Sequence, residues 1–257
     1  MLEIIVLMKQ TFDTEAKITL DNEGKINRQG VNLIINPYDE FAVEEALRIK
    51  EKHGGEVALV SVGGDSVQEA LRQALAMGAD RALLINPEVA EVDEYTTATI
   101  LAKAVSGMEY DLILGGWRAI DDGSAQVVGR VAEILDLPVV NQVTKIEIEP
   151  GKAVATRDIE GGSEVVEVPL PAVLTAQKGL NEPRYPTMKG IMQAKKKPME
   201  KKSLADLGLS ADQAAPKVKV LEYFLPKPRA AGKILEGEVP EAVAALVKAL
   251  REEAKVI

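Results

Sequence analysis

The chain has 257 residues, 46% apolar and 28% charged, which fits an ordinary globular protein with a sizeable core, either one domain or a domain with an appendage. It holds no cysteine and one histidine, His53, which excludes disulfides, thiol redox chemistry, iron–sulfur ligation and thiolate zinc sites. With 31 basic against 40 acidic residues, a net charge of -9 and 4% aromatics, neither nucleic-acid binding nor a base-stacking surface is expected.

Leu2–Met8 is an apolar run with β-branched residues at its centre and predicts a buried strand. No basic stretch precedes it, so MLEIIVLMKQ does not read as a signal peptide. No apolar run reaches the roughly 18 residues of a membrane helix, so no membrane span is expected and the expected compartment is cytoplasmic. Asn36-Pro37 opens a helix over Asp39–Lys52, because proline suits a helix entry and Asp39 and Glu40 suit its positive end. His53-Gly54-Gly55 closes it, and a histidine suits that C-terminal position. Glu56–Val62 predicts a second strand. Gly63-Gly64-Asp65-Ser66 then turns into a helix over Val67–Met77, which Gly78 stops. A strand over Arg81–Ile85, a helix over Glu94–Val105, a strand over Asp111–Leu114 and a helix over Ser124–Leu135 follow. This alternation with short loops predicts an α/β fold: a doubly wound, mainly parallel, Rossmann-like sheet.

The pattern changes after Pro138. Val139–Ile148, Ala153–Ile159, Val165–Leu170 and Ala172–Ala176 read as strands of a small antiparallel or mixed extension. Residues 179–202 show little periodicity and many Lys and Pro. Residues 203–257 hold two weakly apolar pieces, a Pro-rich link and a terminal helix over Pro240–Ala254. This tail is too thin to bury a core of its own and is expected to pack on its own domain or a partner chain.

Doubly wound sheets bind ligands at the carboxyl ends of their strands. Four segments qualify: Leu7-Met8-Lys9, Asn36–Asp39, Val62–Ser66 and Gly115–Arg130. The last, GGWRAIDDGSAQVVGR, sets two glycines after a buried strand and Gly123-Ser124 before a helix. Glycines allow close backbone approach, and the free amides of a helix's first turn hold a phosphate. Ser124 and Gln126 offer further donors. Asp121 and Asp122 would repel a phosphate, so they are expected to cap the helix or reach a ribose hydroxyl. The same spacing also suits a capped turn that binds nothing. Neither G-x-G-x-x-G nor G-x-x-x-x-G-K-[ST] is present. Trp117, the single tryptophan, suits covering a ligand or plain packing. Lys195-Lys196-Lys197, with Lys189, Lys201 and Lys202, forms a local basic patch that reads as a solvated loop or as a dock for an acidic partner.

Several stretches resemble one family, the β subunit of electron transfer flavoprotein. They are VLMKQTFDT, INPYDEFAVEEALRIKE, ALRQALAMGADRALLI, LILGGWRAIDDGSAQ, TRDIEGGSEVVEVPLPAVLTAQ and, most specific, GLNEPRYPTMKGIMQAKKK. The similarity spans roughly residues 1–205 in order.

The resemblance implies one half of an αβ heterodimer. FAD sits mainly in the α subunit, and electrons pass from acyl-CoA dehydrogenases toward a membrane quinone reductase. It implies a structural AMP in this subunit, held by Leu7, Asn36, Pro37, Tyr38, Asp39, Val62, Gly116, Trp117, Arg118, Ala119, Ile120, Asp121, Asp122, Gly123, Ser124, Ala125, Gln126 and Val127. It implies a partner-recognition segment carrying Asn181, Glu182, Pro183, Arg184, Tyr185, Met188, Lys195, Lys196 and Lys197. Met188 stands where the family has an anchoring leucine. The expected division is 1–205 as the nucleotide-binding domain and 206–257 as an arm packed on the partner subunit. Electron-bifurcating relatives carry a second FAD in place of AMP and oxidise NADH. They resemble this chain at Ser124-Ala125-Gln126-Val127, but they have glycine at Asp122 and Gly-Pro at Val128-Gly129, which favours AMP. A free-standing adenine-nucleotide-binding regulatory protein is the reading from another class. No metal site and no catalytic acid or base are expected, because the flavin carries the redox chemistry.

Overall fold

The computed structural model describes residues 1–88, 92–228 and 231–257. The chain forms two compact units, Met1–Ile18 with Asn27–Leu221, and Thr19–Ile26 with Glu222–Ile257.

The larger unit is a nine-stranded sheet with helices on both faces. Its elements begin β1 (Leu2–Leu7), β2 (Gln10–Phe12), β3 (Leu33–Ile35), α1 (Pro37–His53), β4 (Gly55–Val62), α2 (Val67–Met77), β5 (Arg81–Asn86), α3 (Glu94–Val105), β6 (Leu112–Gly116) and α4 (Val127–Ile134). They continue β7 (Val139–Glu149), β8 (Lys152–Ile159), β9 (Gly162–Pro169), β10 (Ala172–Ala176), α5 (Met188–Ala194) and β11 (Met199–Ser203). The strand order is β11-β5-β4-β1-β6-β10-β7-β8-β9, while β2 and β3 pair separately. From β11 to β7 all pairings are parallel, and β7, β8 and β9 extend the sheet as an antiparallel meander.

The pleat explains the two layers, since successive strand residues face opposite sides. Ile4 and Val6 of β1, with Leu112 and Leu114 of β6, pack toward α1 and α2. Ile5, Leu7 and Ile113 pack toward α3 and α4. Helix α1 buries Ala42, Val43, Ala46, Leu47 and Ile49, a stripe at helical spacing. Asp93 caps α3 by accepting the Thr96 N–H, and its second oxygen accepts the Val218 N–H at 2.9 Å. Thr96 donates to the Ala215 carbonyl, and Ala214 is fully buried, so the chain up to Leu221 is fastened to this unit.

Three elements differ from the sequence reading. The helix expected over Ser124–Leu135 starts only at Val127, because Gly123 (φ 64°) and Ala125 (φ 55°) are left-handed and interrupt any helical turn there. Residues 179–202 contain α5 and the edge strand β11. Asp111 lies just outside β6, which runs on through both glycines.

In the smaller unit, a turn at Asp21–Lys25 closes on an isolated Leu20–Ile26 bridge. The helix α6 (Val239–Lys248) passes into a π-helical turn, Ala249–Ala254. The exposed side chains of Val239, Val243, Leu246 and Val247 make one apolar stripe along α6. Among the described residues no helix is long and apolar enough to cross a membrane.

Candidate functional site

Strand order reverses beside β1. The chain steps from β1 to β4 and β5 on one side, then returns to β6 on the other. The crevice at such a reversal, beyond the strands' carboxyl ends, is where open α/β sheets bind ligands.

The start of α1 supplies one wall. Pro37 occupies the first turn, where its missing N–H costs nothing. Asn36 makes no cap hydrogen bond. Its side chain crosses the crevice, donating to the Arg118 carbonyl at 2.9 Å and accepting the Ile120 N–H at 3.2 Å. Asp39 is buried, and its two oxygens accept the Lys9 N–H at 2.7 Å and the Gly116 N–H at 2.9 Å. It thereby ties the end of β1 to the end of β6. Burial pushes its carboxyl up to about 7 against the pull of those donors.

The loop after β6 supplies the other wall. Trp117 meets Tyr38 edge to face at 5.5 Å, and the Arg118 guanidinium lies 4.3 Å from the Trp117 ring centre. Asp121 and Asp122 neither cap α4 nor stand free. Lys9 Nζ reaches them at 2.8 and 2.7 Å across the crevice. Burial opposes charge on Lys9, but its hydrogen bonds to both acids outweigh it and raise the ammonium above its ordinary value. Asp122 is likewise partly buried, yet Lys9 and the Ser124 N–H hold its carboxyl below the usual range. Sequence reasoning placed Lys9 in a strand-end segment but gave it no role. Its only signal is a cation after β1 facing two acids after β6.

Thus Leu7, the segment Asn36–Asp39 and Gly116–Asp122 converge. Val62 ends β4, where it pairs with Ile85 of β5. Gly123 donates to the Ala119 carbonyl and Ser124 donates to Asp122. Among the described residues, the amides of Ala125, Gln126 and Val127 have no protein acceptor. The Gln126 side chain instead accepts from Arg130 Nη2 at 2.6 Å. The buried Trp117 indole N–H also has no partner. The crevice therefore offers acids partly compensated by Lys9, free backbone donors at a helix start and an unmet indole donor at Trp117. A phosphate group fits that donor set.

The 181–197 segment is held along the first unit. Asn181 donates to the Phe41 carbonyl and to Glu45. Arg184 Nε bonds Glu44 at 2.8 Å, and Arg184 Nη1 bonds Glu51 at 2.5 Å. Lys197 Nζ donates to the Leu75 and Ala79 carbonyls at the end of α2. Met188, Tyr185, Lys195 and Lys196 remain exposed, as do Ile191 and Met192 of α5. Glu182 is exposed and Pro183 half-buried. Among the described residues no group of His, Asp or Glu is placed to hold a metal ion.

A family model for the electron transfer flavoprotein domain matches residues 23–207. The chain is 52% identical over 258 residues to the electron transfer flavoprotein subunit beta of Bacillus subtilis (strain 168), covering 100% of both chains. It is 39% identical over 241 residues to the subunit beta of Homo sapiens, covering 91% of this chain and 93% of that one. It is also 39% identical over 259 residues to the caffeyl-CoA reductase-Etf complex subunit CarD of Acetobacterium woodii, covering 98% of each. With a family model over most of its length and a full-length match to a β subunit, this chain belongs to the electron transfer flavoprotein family.

Proposed function

We propose that this chain is the β subunit of a heterodimeric electron carrier, with AMP in the crevice at the β1–β6 reversal and FAD held mainly by an α subunit. Electrons pass from an acyl-CoA dehydrogenase or similar flavin dehydrogenase to a quinone reductase. The observation that carries this reading is the crevice itself, with the free amides of Ala125–Val127 following acids that Lys9 partly compensates. Those amides and the positive end of α4 would hold the phosphate. Tyr38, Trp117 and Arg118 would form the wall beside it.

The flavin, when bound, supplies the electron chemistry, and this chain's residues position rather than react. Asn36 and Asp39 fix the loop after β6 against α1, so the phosphate donors are set before binding. A nucleotide bound only by the folded chain stabilises it and the assembly by linkage. The exposed face of α5, Met188, Ile191 and Met192 with Lys189, Lys195 and Lys196 around it, suits an apolar pocket with an acidic rim on the dehydrogenase. The arm beyond Leu221 would lay the apolar stripe of α6 on the α subunit.

Purification of the untagged full chain from cells that also make the α subunit tests the reading. Co-elution with a yellow flavoprotein partner at equal stoichiometry is expected. A stable flavin-free monomer overturns it and favours the free-standing regulatory protein.

A further inference from the structure

Dinucleotides lie across the crevice at a strand-order reversal, with the diphosphate at the crossing. In this chain a salt bridge occupies the span between the β1 end and the loop after β6. Lys9 leaves the end of β1, where its N–H is fixed by Asp39, and its Nζ bonds Asp121 Oδ1 and Asp122 Oδ2 on the far side. The three side chains are partly sheltered, at 43%, 27% and 36% exposed. Both acids are also fixed from behind. Asp121 Oδ1 accepts the Asp122 N–H at 2.9 Å, and Asp122 Oδ1 accepts the Ser124 N–H at 2.9 Å. The bridge is therefore a strap tethered at both ends, at Lys9 by Asp39 and at the acids by loop amides.

A strap of this kind has two consequences for an anion. It consumes the one lysine at the reversal, so that charge is not offered to a phosphate. Its two carboxylates also share a single ammonium, so the strap keeps a net negative charge that opposes further phosphate in that span. One phosphate needs only the amides, whereas a diphosphate lying across the reversal would meet the strap.

We propose that the Lys9–Asp121–Asp122 bridge is the specificity-determining element of this site, selecting a nucleoside monophosphate over nucleotides with a diphosphate. This rests on the nucleotide-binding reading above. Lys9 acts by position and by withholding its charge, not by bonding the phosphate.

The test uses the full chain in complex with its flavin-bearing partner, stripped of its adenylate and titrated with AMP and with ADP by calorimetry. Wild type is expected to prefer AMP. A double variant, Asp121→Asn with Asp122→Asn, keeps the carbonyl oxygens that bond the loop backbone but removes both negative charges paired with the Lys9 ammonium. Its AMP-over-ADP preference is expected to fall about tenfold, the size of one hydrogen bond to a charged group. Lys9→Met leaves two uncompensated carboxylates and is expected to weaken both nucleotides. An unchanged preference in the folded double variant overturns the proposal, as does equal wild-type affinity for AMP and ADP. Binding of neither nucleotide by wild type overturns the nucleotide reading itself. Should the double variant not fold, Asp122→Asn alone, which loses one of the two strap bonds, must lower the preference in the same direction.

Discussion

The α-carbon of Gly116 lies against Asp39. The Gly116 N–H donates to Asp39 Oδ1 at 2.9 Å, and a methyl on Gly116 would overlap that oxygen and stand 2.7 Å from Tyr38 Cβ. The second glycine after β6 is thus required by contact between two crevice walls, whatever binds between them.

Gly116→Ala is therefore expected to destabilise the chain by about 1–3 kcal/mol, the usual cost of forcing a methyl into filled space. Urea denaturation reads this directly. An unchanged midpoint would show that the walls part without cost.

Asp39 gives a pH signature. The folded carboxyl titrates at about 7, above its value in an unfolded chain. Between the ordinary carboxylate range and that value, the folded chain keeps a proton that the unfolded chain has released. Stability from Asp39 therefore falls as pH rises through this window and levels off above it. Asp39→Asn lacks this proton and offers one acceptor to two N–H donors. Wild type should exceed the variant most at acid pH, with the gap narrowing toward about pH 8. A gap that is constant with pH contradicts the burial argument.

Arg184 clamps the 181–197 segment to α1 through Glu44, whose side chain is 3% exposed, while Arg184 is 34% exposed. Arg184→Met is expected to cost about 2 kcal/mol, less than loss of a fully buried pair because Arg48 still faces Glu44. A double-mutant cycle with Glu44→Gln measures the coupling. A value below about 0.5 kcal/mol would mean that the segment is held by something else.

The tail gives two truncations with different outcomes. Removing everything after Leu221 should weaken association with the α subunit and leave the urea midpoint of the larger unit unchanged. Removing everything after Asp206 should also lower that midpoint, since it deletes the buried Ala214 and the bonds from residues 215–218 to Thr96 and Asp93. Equal midpoints for the two truncations would contradict this.

Much of the fold was legible because apolar spacing reports burial. Helices α2 and α3 and strand β10 begin and end where their patterns do. Strand β11, MEKKS, was not legible, because it pairs only with β5 at the sheet edge, where charged side chains face water. The small β2–β3 sheet is too short to show a period. The start of α4 was misplaced because Ser124 looks like a cap, and nothing local announces that Ala125 turns left-handed. In the crevice, the glycine pair and Asn36-Pro37 lie in segments that the fold brings together. The bonds that join them, Asn36 to Arg118 and Lys9 to Asp122, span 82 and 113 residues and have no local signature.

The nucleotide content of the purified complex bears most directly on whether this chain is an adenylate-holding scaffold in an electron carrier. The complex is denatured, the protein is removed, and the released nucleotides are separated and counted. One FAD and one AMP per complex are expected. Two FAD with no AMP, accompanied by NADH oxidation, would instead make this crevice a second flavin site, and FAD alone would show that it holds no adenylate.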